Sequence, residues 1–208
     1  MLDLRQYAPA TERNRQPILD VLRQVLPDSG TVLEIASGTG EHAAFLASNL
    51  EDLYWLPTER EALLRASIQA WGESVGAKNL VLPPLSLDVG DRPWPVEVDS
   101  FAPAPITAIV NINMIHISAW EMCEHLLAGA QRVLPAGGVL YLYGPFKQAG
   151  KHTAESNEAF DRMLRDRNPQ WGVRDLELVV RLAEKHDFRI NRTVEMPANN
   201  LSVVFCRV

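Results

Sequence analysis

The chain closes with two strand-like runs, FRINRTVEM at 188–196 and NLSVVFCRV at 200–208, joined only through PANN at 197–200. A link this short has no room for a crossover helix, so the two runs must pair as an antiparallel hairpin. Everything before them alternates. Short apolar runs at 31–36, 52–57, 79–89, 106–115 and 136–144 are separated by amphipathic stretches at 41–50, 59–72 and 118–134, after a first helical pattern at 15–26. Two more helical patterns, at 153–167 and 173–186, lead to the hairpin. Strands that alternate with helices form a parallel sheet covered on both faces. The expected fold is therefore α/β, a Rossmann-like seven-stranded mostly parallel sheet with an antiparallel last strand. In the helix at 118–134, Ser118 stands as the N-cap with Glu121 three residues on.

With 208 residues the chain suits one domain, 1–208, preceded by no basic-then-apolar leader pattern. Net charge is −6 and no lysine–arginine block occurs, so the electrostatic basis for nucleic-acid binding is missing, with Arg162, Arg165 and Arg167 the local basic patch to watch. The longest stretch free of charged side chains, 101–120, contains Pro103, Pro105, Asn111 and Asn113 and reads as a buried strand with a loop, not a membrane span. Cys123 and Cys206 are isolated in sequence and read as reduced structural thiols, which fits a cytoplasmic protein. The histidines show no metal-ligand spacing, and no metal is expected.

The stretch VLEIASGTGEHAAF at 32–45 marks the ligand site. In an open α/β sheet ligands bind beyond the carboxyl ends of the strands, beside the first one. Gly38 and Gly40 let the backbone approach a ligand there. No Lys-Ser or Lys-Thr follows the second glycine, so the turn is not a P-loop, and residue 43 of a dinucleotide turn would be Ala43. Glu34 at the strand end repels a pyrophosphate but attracts a cationic amino group. Glu59, nineteen residues after Gly40, can accept from both hydroxyls of a ribose, and Asp88 closes the third strand within reach of an adenine amine. Three acids at three successive strand ends beside one glycine turn form a coherent pattern.

That pattern resembles the class I S-adenosylmethionine-dependent methyltransferases, whose first motif is acid-x-Gly-x-Gly-x-Gly; here Glu34, Ala36, Gly38 and Gly40 occupy it, with alanine at the first glycine. RVLPAGGVLYL is similar to the superfamily's turn into its fifth strand. More narrowly, ATERNRQPIL, ASGTGEHAAF, NMIHIS, LYGPFK, ESNEAFDRMLRDRNPQWGVRDLE and MPANNLS are similar to a branch that includes methyltransferase-like protein 26, over about residues 9–203. That branch has Pro-Ser-Asp where this chain has Pro57-Thr58-Glu59, and proline where Ala119 stands. The resemblance implies S-adenosylmethionine as cofactor. It implies that Glu34 and the backbone of Ala36, Ser37, Gly38 and Gly40 hold the methionine part, Glu59 the ribose and Asp88 the adenine. Asn111 or Asn113 would face the methyl sulfonium.

Methyl transfer needs alignment, exclusion of water and in some cases removal of a proton. Asn113, His116, Tyr143 and Lys147 gather near the fourth and fifth strand ends. His116 is either the base or a histidine that holds its loop; Tyr143 is either catalytic or a wall of the donor pocket. Lys147 reads as a surface charge or an anion contact. Arg13 and Asn14, before Pro17 at a helix start, would belong to a lid segment over residues 1–30, with Arg13 pairing a carboxylate or standing as a solvated cap charge. Residues 155–157, Trp171 and the Asn199-Asn200 turn are further candidates for an acceptor pocket, against turn and core roles. The expected function is methyl transfer to a small-molecule acceptor, without nucleic acid or membrane as partner. The alternatives are a donor-binding protein without turnover and, more distantly, a nicotinamide-dependent oxidoreductase, which would carry a parallel last strand.

Overall fold

The structure is a computed structural model and describes residues 3–208. The chain runs through α1 (Pro9–Val25), β1 (Gly30–Ile35), α2 (Glu41–Ala47), β2 (Leu53–Pro57), α3 (Ala62–Val75) and a single turn, α4 (Pro95–Val98). It continues through β3 (Ile106–Ile112), α5 (Trp120–Val133), β4 (Val139–Gly144), β5 (Phe146–Gln148), β6 (Lys151–His152) and α6 (Glu155–Arg167). β7 (Arg174–Asp175), α7 (Leu176–Lys185), β8 (Phe188–Met196) and β9 (Asn200–Arg207) complete it.

The main sheet has the order β2-β1-β3-β4-β9-β8. β1 to β4 are parallel, and β9 enters antiparallel beside β4 before pairing with β8 at the edge. The hairpin forms as its short link requires, and the antiparallel β9 counts against the oxidoreductase alternative.

Among the described residues the main sheet has six strands, and the expected seventh does not form. Residues 79–89 do run beside β2: Trp55 N–H donates to Asn79 O, Val81 N–H to Trp55 O, and Glu59 N–H to Leu85 O. Between these contacts stand Pro83 and Pro84, which have no N–H to give a ladder, so only isolated bridges survive. The segment still delivers Asp88 to the carboxyl end of the sheet.

Side chains alternate between two apolar layers. Leu33, Ile109, Leu140 and Phe205 face α5 and α7, with Trp94 among them. Val32, Val110, Tyr141 and Val204 face α1 and α2. α1 begins two turns earlier than its apolar pattern suggests, so Arg13 and Asn14 lie inside it instead of preceding it, and Pro17 is interior. An interior proline costs a helix about 3 kcal/mol. Ile18, Leu19 and Leu22 are fully buried, each contributing roughly 1.5–3 kcal/mol, and together they outweigh that cost. The N-cap of α5 is Ala119, without a side-chain bond; the Ser118 hydroxyl turns to Met114 Sδ instead. A small second sheet, β6-β5-β7, carries α6 as a cap beyond β4. Of the domain 1–208 and the segment 1–30, residues 1 and 2 lie outside the described residues. Among those described, no helix is long and apolar enough to cross a membrane.

Candidate active site

Where β1 ends, the backbone turns sharply. Ala36, Gly38 and Gly40 all adopt positive φ, at 56°, 58° and 86°. Alanine at the first of these accepts the left-handed conformation at a cost of roughly 1–2 kcal/mol, so the turn keeps a glycine-like path without the glycine. At Gly40 a Cβ would come 2.6 Å from Ile68 Cα, which only glycine avoids, whereas a Cβ on Gly38 would meet nothing within 4 Å. Gly38 faces open space.

The turn is tied to β2 by its acids. Ser37 N–H donates to Thr58 O, and Thr58 N–H to Glu34 O. Glu59, at the end of β2, accepts from Gly38 N–H (3.0 Å) and from Glu61 N–H (3.2 Å). Its carboxylate therefore already sits against the glycine turn.

A cleft of about 540 Å³ opens over these groups, lined by Ala36, Gly38, Glu59 and Asp88. Ile35, Leu64, Leu87, Ile112, Met114 and Met122 supply apolar walls, and Asn168 and Trp171 close one rim. Asp88 caps its own loop through Gly90 N–H (2.9 Å) and pairs with Arg60 at 3.4 Å.

Other residues picked from the sequence stand outside the lining. Glu34 lies on the α1–α2 side of β1, accepting from Trp55 Nε1 and Ser37 Oγ, each at 2.9 Å. Burial pushes its carboxyl up to about 7. Asn111 is buried, donates to Ile35 O, and leaves its Oδ1 without a partner among the described residues. Asn113 takes a positive φ of 66° at the end of β3, and its N–H donates to Tyr143 O. His116 is 0% exposed, stacks edge-on against Phe146, and finds no hydrogen-bond partner for either ring nitrogen among the described residues. Burial, with the Arg174 charge nearby, lowers it to about 3, so the ring is neutral. Tyr143 is buried on the opposite face, in the α1–α2 layer, where Asn14 accepts a hydrogen bond from His42 Nε2 at 2.8 Å. Arg13 is exposed and forms no ion pair among the described residues. Lys147 is not a free surface charge but pairs with Asp161 at 3.1 Å. Asn157 and Asn199 do meet, through Asn157 Nδ2 and Asn199 O at 2.8 Å.

The sequence singles out Trp171 in the rim loop at 168–174 but passes over its neighbours Asn168 and Arg174. Arg174 donates to Ile115 O, Ser118 O and Gln170 O, fastening that loop to the turn after β3. The Asn-Pro pair at 168–169 was the available signal for a sharp turn there.

The sheet order and the antiparallel strand beside its edge make a Rossmann-like α/β fold, with a glycine turn and strand-end acids meeting in one cleft at the carboxyl ends of its strands. Residues 5–207 match the family model described as Protein of unknown function (DUF938), and the chain belongs to that family. Solved structures similar in fold include the pyocyanin biosynthetic protein PhzM, at 15% identity and a TM-score of 0.73, covering 96% of this chain and 56% of that one. An O-methyltransferase family 2 protein from Planctomyces limnophilus, solved with apigenin, gives 18%, 0.72, 96% and 60%. CalO1, a methyltransferase in calicheamicin biosynthesis in its SAH-bound form, gives 16%, 0.70, 96% and 55%. The chain thus spans little more than half the length of these proteins, and at such identities the likeness is one of fold.

Proposed function

We propose that the cleft binds S-adenosylmethionine and that the protein transfers its methyl group to a small-molecule acceptor. The observation that carries this is the convergence of the Gly38 turn, Glu59 and Asp88 on one cleft, with Glu59 already bonded to the turn. The donor set fits: carboxylates for ribose hydroxyls and an exocyclic amine, open space above Gly38, and apolar side chains for a flat ring. Bound there, the donor supplies an electrophilic methyl on a sulfonium. Glu59 holds the ribose, Asp88 the adenine end, and Ala36 to Gly38 the methionine end. The relatives in fold that are methyltransferases, one of them SAH-bound, support the same reading. So do the narrower motif likenesses to the branch that includes methyltransferase-like protein 26.

His116 and Tyr143 lie away from the cleft, so the rate enhancement rests on alignment and exclusion of water, and suits an acceptor that needs no proton removed by them. The same observation favours a second reading, a donor-binding protein without turnover; release of S-adenosylhomocysteine in an acceptor screen separates the two. Calorimetric titration with S-adenosylmethionine and S-adenosylhomocysteine, with NAD as control, tests the donor site directly. Binding is expected for both adenosyl ligands. Glu59→Ala removes hydrogen bonds to a charged acceptor worth roughly 1.5–3 kcal/mol each, so affinity should drop at least tenfold. Folded wild-type protein that gives no heat with either ligand overturns the reading.

A further inference from the structure

Asp161, on α6, is a buried carboxylate that three donors and a histidine ring reach from different parts of the cap. Its Oδ2 pairs with Lys147 Nζ on β5 (3.1 Å) and lies 3.3 Å from His152 Nε2 on β6. Its Oδ1 accepts from Arg165 Nε (3.2 Å) and from the backbone N–H of Val173 (2.8 Å). Burial alone would raise this acid, yet the bonds from Val173, Lys147 and Arg165 win and hold it below the usual carboxylate range. Gly172 permits the close approach, since a Cβ there would fall 2.6 Å from Asp161 Oδ1. On its other side the same loop is bolted to the turn after Asn113, through Gly172 N–H to His116 O (2.9 Å) and Arg174 Nε to Ile115 O (2.8 Å). Asn168 and Trp171, just ahead of these fastenings in the chain, line the cleft.

We propose that Asp161 is a positioning residue, which locks the 168–174 loop so that Asn168 and Trp171 form the acceptor-side wall of the cleft. The donor anchors all stand on the strand ends and the glycine turn, none on this loop. The word acceptor rests on the donor-cleft reading above; the lock does not. Trp171 presents a flat apolar face, and the side-chain amide of Asn168 accepts from Gln170 N–H through its oxygen, leaving its NH₂ to donate. That wall suits a planar acceptor with a hydrogen-bond-accepting group.

Fluorine NMR of protein labelled with 5-fluorotryptophan reads the lock. Five signals are expected, with Trp171 assigned by its loss in Trp171→Phe and the fully buried Trp55 and Trp94 reporting on the fold. In Asp161→Asn the Trp171 signal should move and broaden while those of Trp55 and Trp94 stay in place. An unmoved Trp171 signal overturns the lock. If Asp161→Asn does not fold, Lys147→Met removes one donor only, and should shift Trp171 in the same direction by less; no shift again overturns it. Affinity of Asp161→Asn for S-adenosylhomocysteine should stay within threefold of wild type. A loss beyond tenfold would put the loop on the donor side and overturn the acceptor assignment. Wild-type protein that binds no S-adenosylhomocysteine removes the donor reading, and the Trp171 signal still decides the lock.

Discussion

Glu34 places a carboxyl where water hardly reaches, 2% exposed beneath the glycine turn. Loss of hydration is the main force on it, the hydrogen bonds from Trp55 and Ser37 oppose it, and the charge of Glu59 adds to it. The group ionises near 4.5 in an unfolded chain and near 7 in the folded one. Between those values the native state binds the extra proton, so this group's contribution to stability falls as pH rises. Glu34→Gln should remove that fall: urea midpoints measured from pH 4.5 to 7.5 should decline less in the variant than in wild type. Parallel curves would mean the carboxyl is already ionised in the fold. From sequence, Glu34 was visible as an acid at a strand end, but its neighbour Trp55 lies on another strand. Period-2 alternation turns Glu34 to the face opposite Ile35, and only the paired sheet shows that the cleft lies on the Ile35 side.

At the scale of elements, the edge beside β2 is held by side chains more than by a ladder. Asn79 Nδ2 lies within hydrogen-bond distance of three carbonyls, those of Ala47, Leu50 and Leu53, at 2.9, 3.0 and 2.8 Å. One amide thus joins the end of α2, the entry to β2 and the irregular segment that replaces a strand. Asn79→Ala strips partners from these oxygens and should cost about 1–3 kcal/mol, read as a lower urea midpoint with an unchanged m-value. A change under half of that would mean water takes over the carbonyls. Pro83 and Pro84 are plain in the sequence, and neither can donate to a ladder. That they remove the strand altogether depends on its edge position, where only one neighbour is available to hold it. The same limit hid β5, β6 and β7: runs of two or three residues have too few side chains to show a period.

For the whole molecule, a ligand that binds only the native state stabilises it by mass action. S-adenosylhomocysteine at a hundredfold excess over Kd should add about 2.7 kcal/mol, which in a chain of this size raises Tm by roughly 5–11 °C. NAD should leave Tm where it is; an equal shift with NAD would reopen the oxidoreductase reading. Alternating apolar patterns, the glycine turn, and a terminal link too short for a helix were enough to determine an α/β sheet ending in an antiparallel hairpin, because each rests on local sterics and period. They also placed the turn and two of its acids, Glu59 and Asp88, at the cleft. The tertiary structure alone decided that the main sheet has six strands, that His116 and Tyr143 lie buried away from the cleft, and that Asn168 joins Trp171 at its rim. Those outcomes depend on which residues distant in the chain come to share one face, and on how completely they exclude water from it.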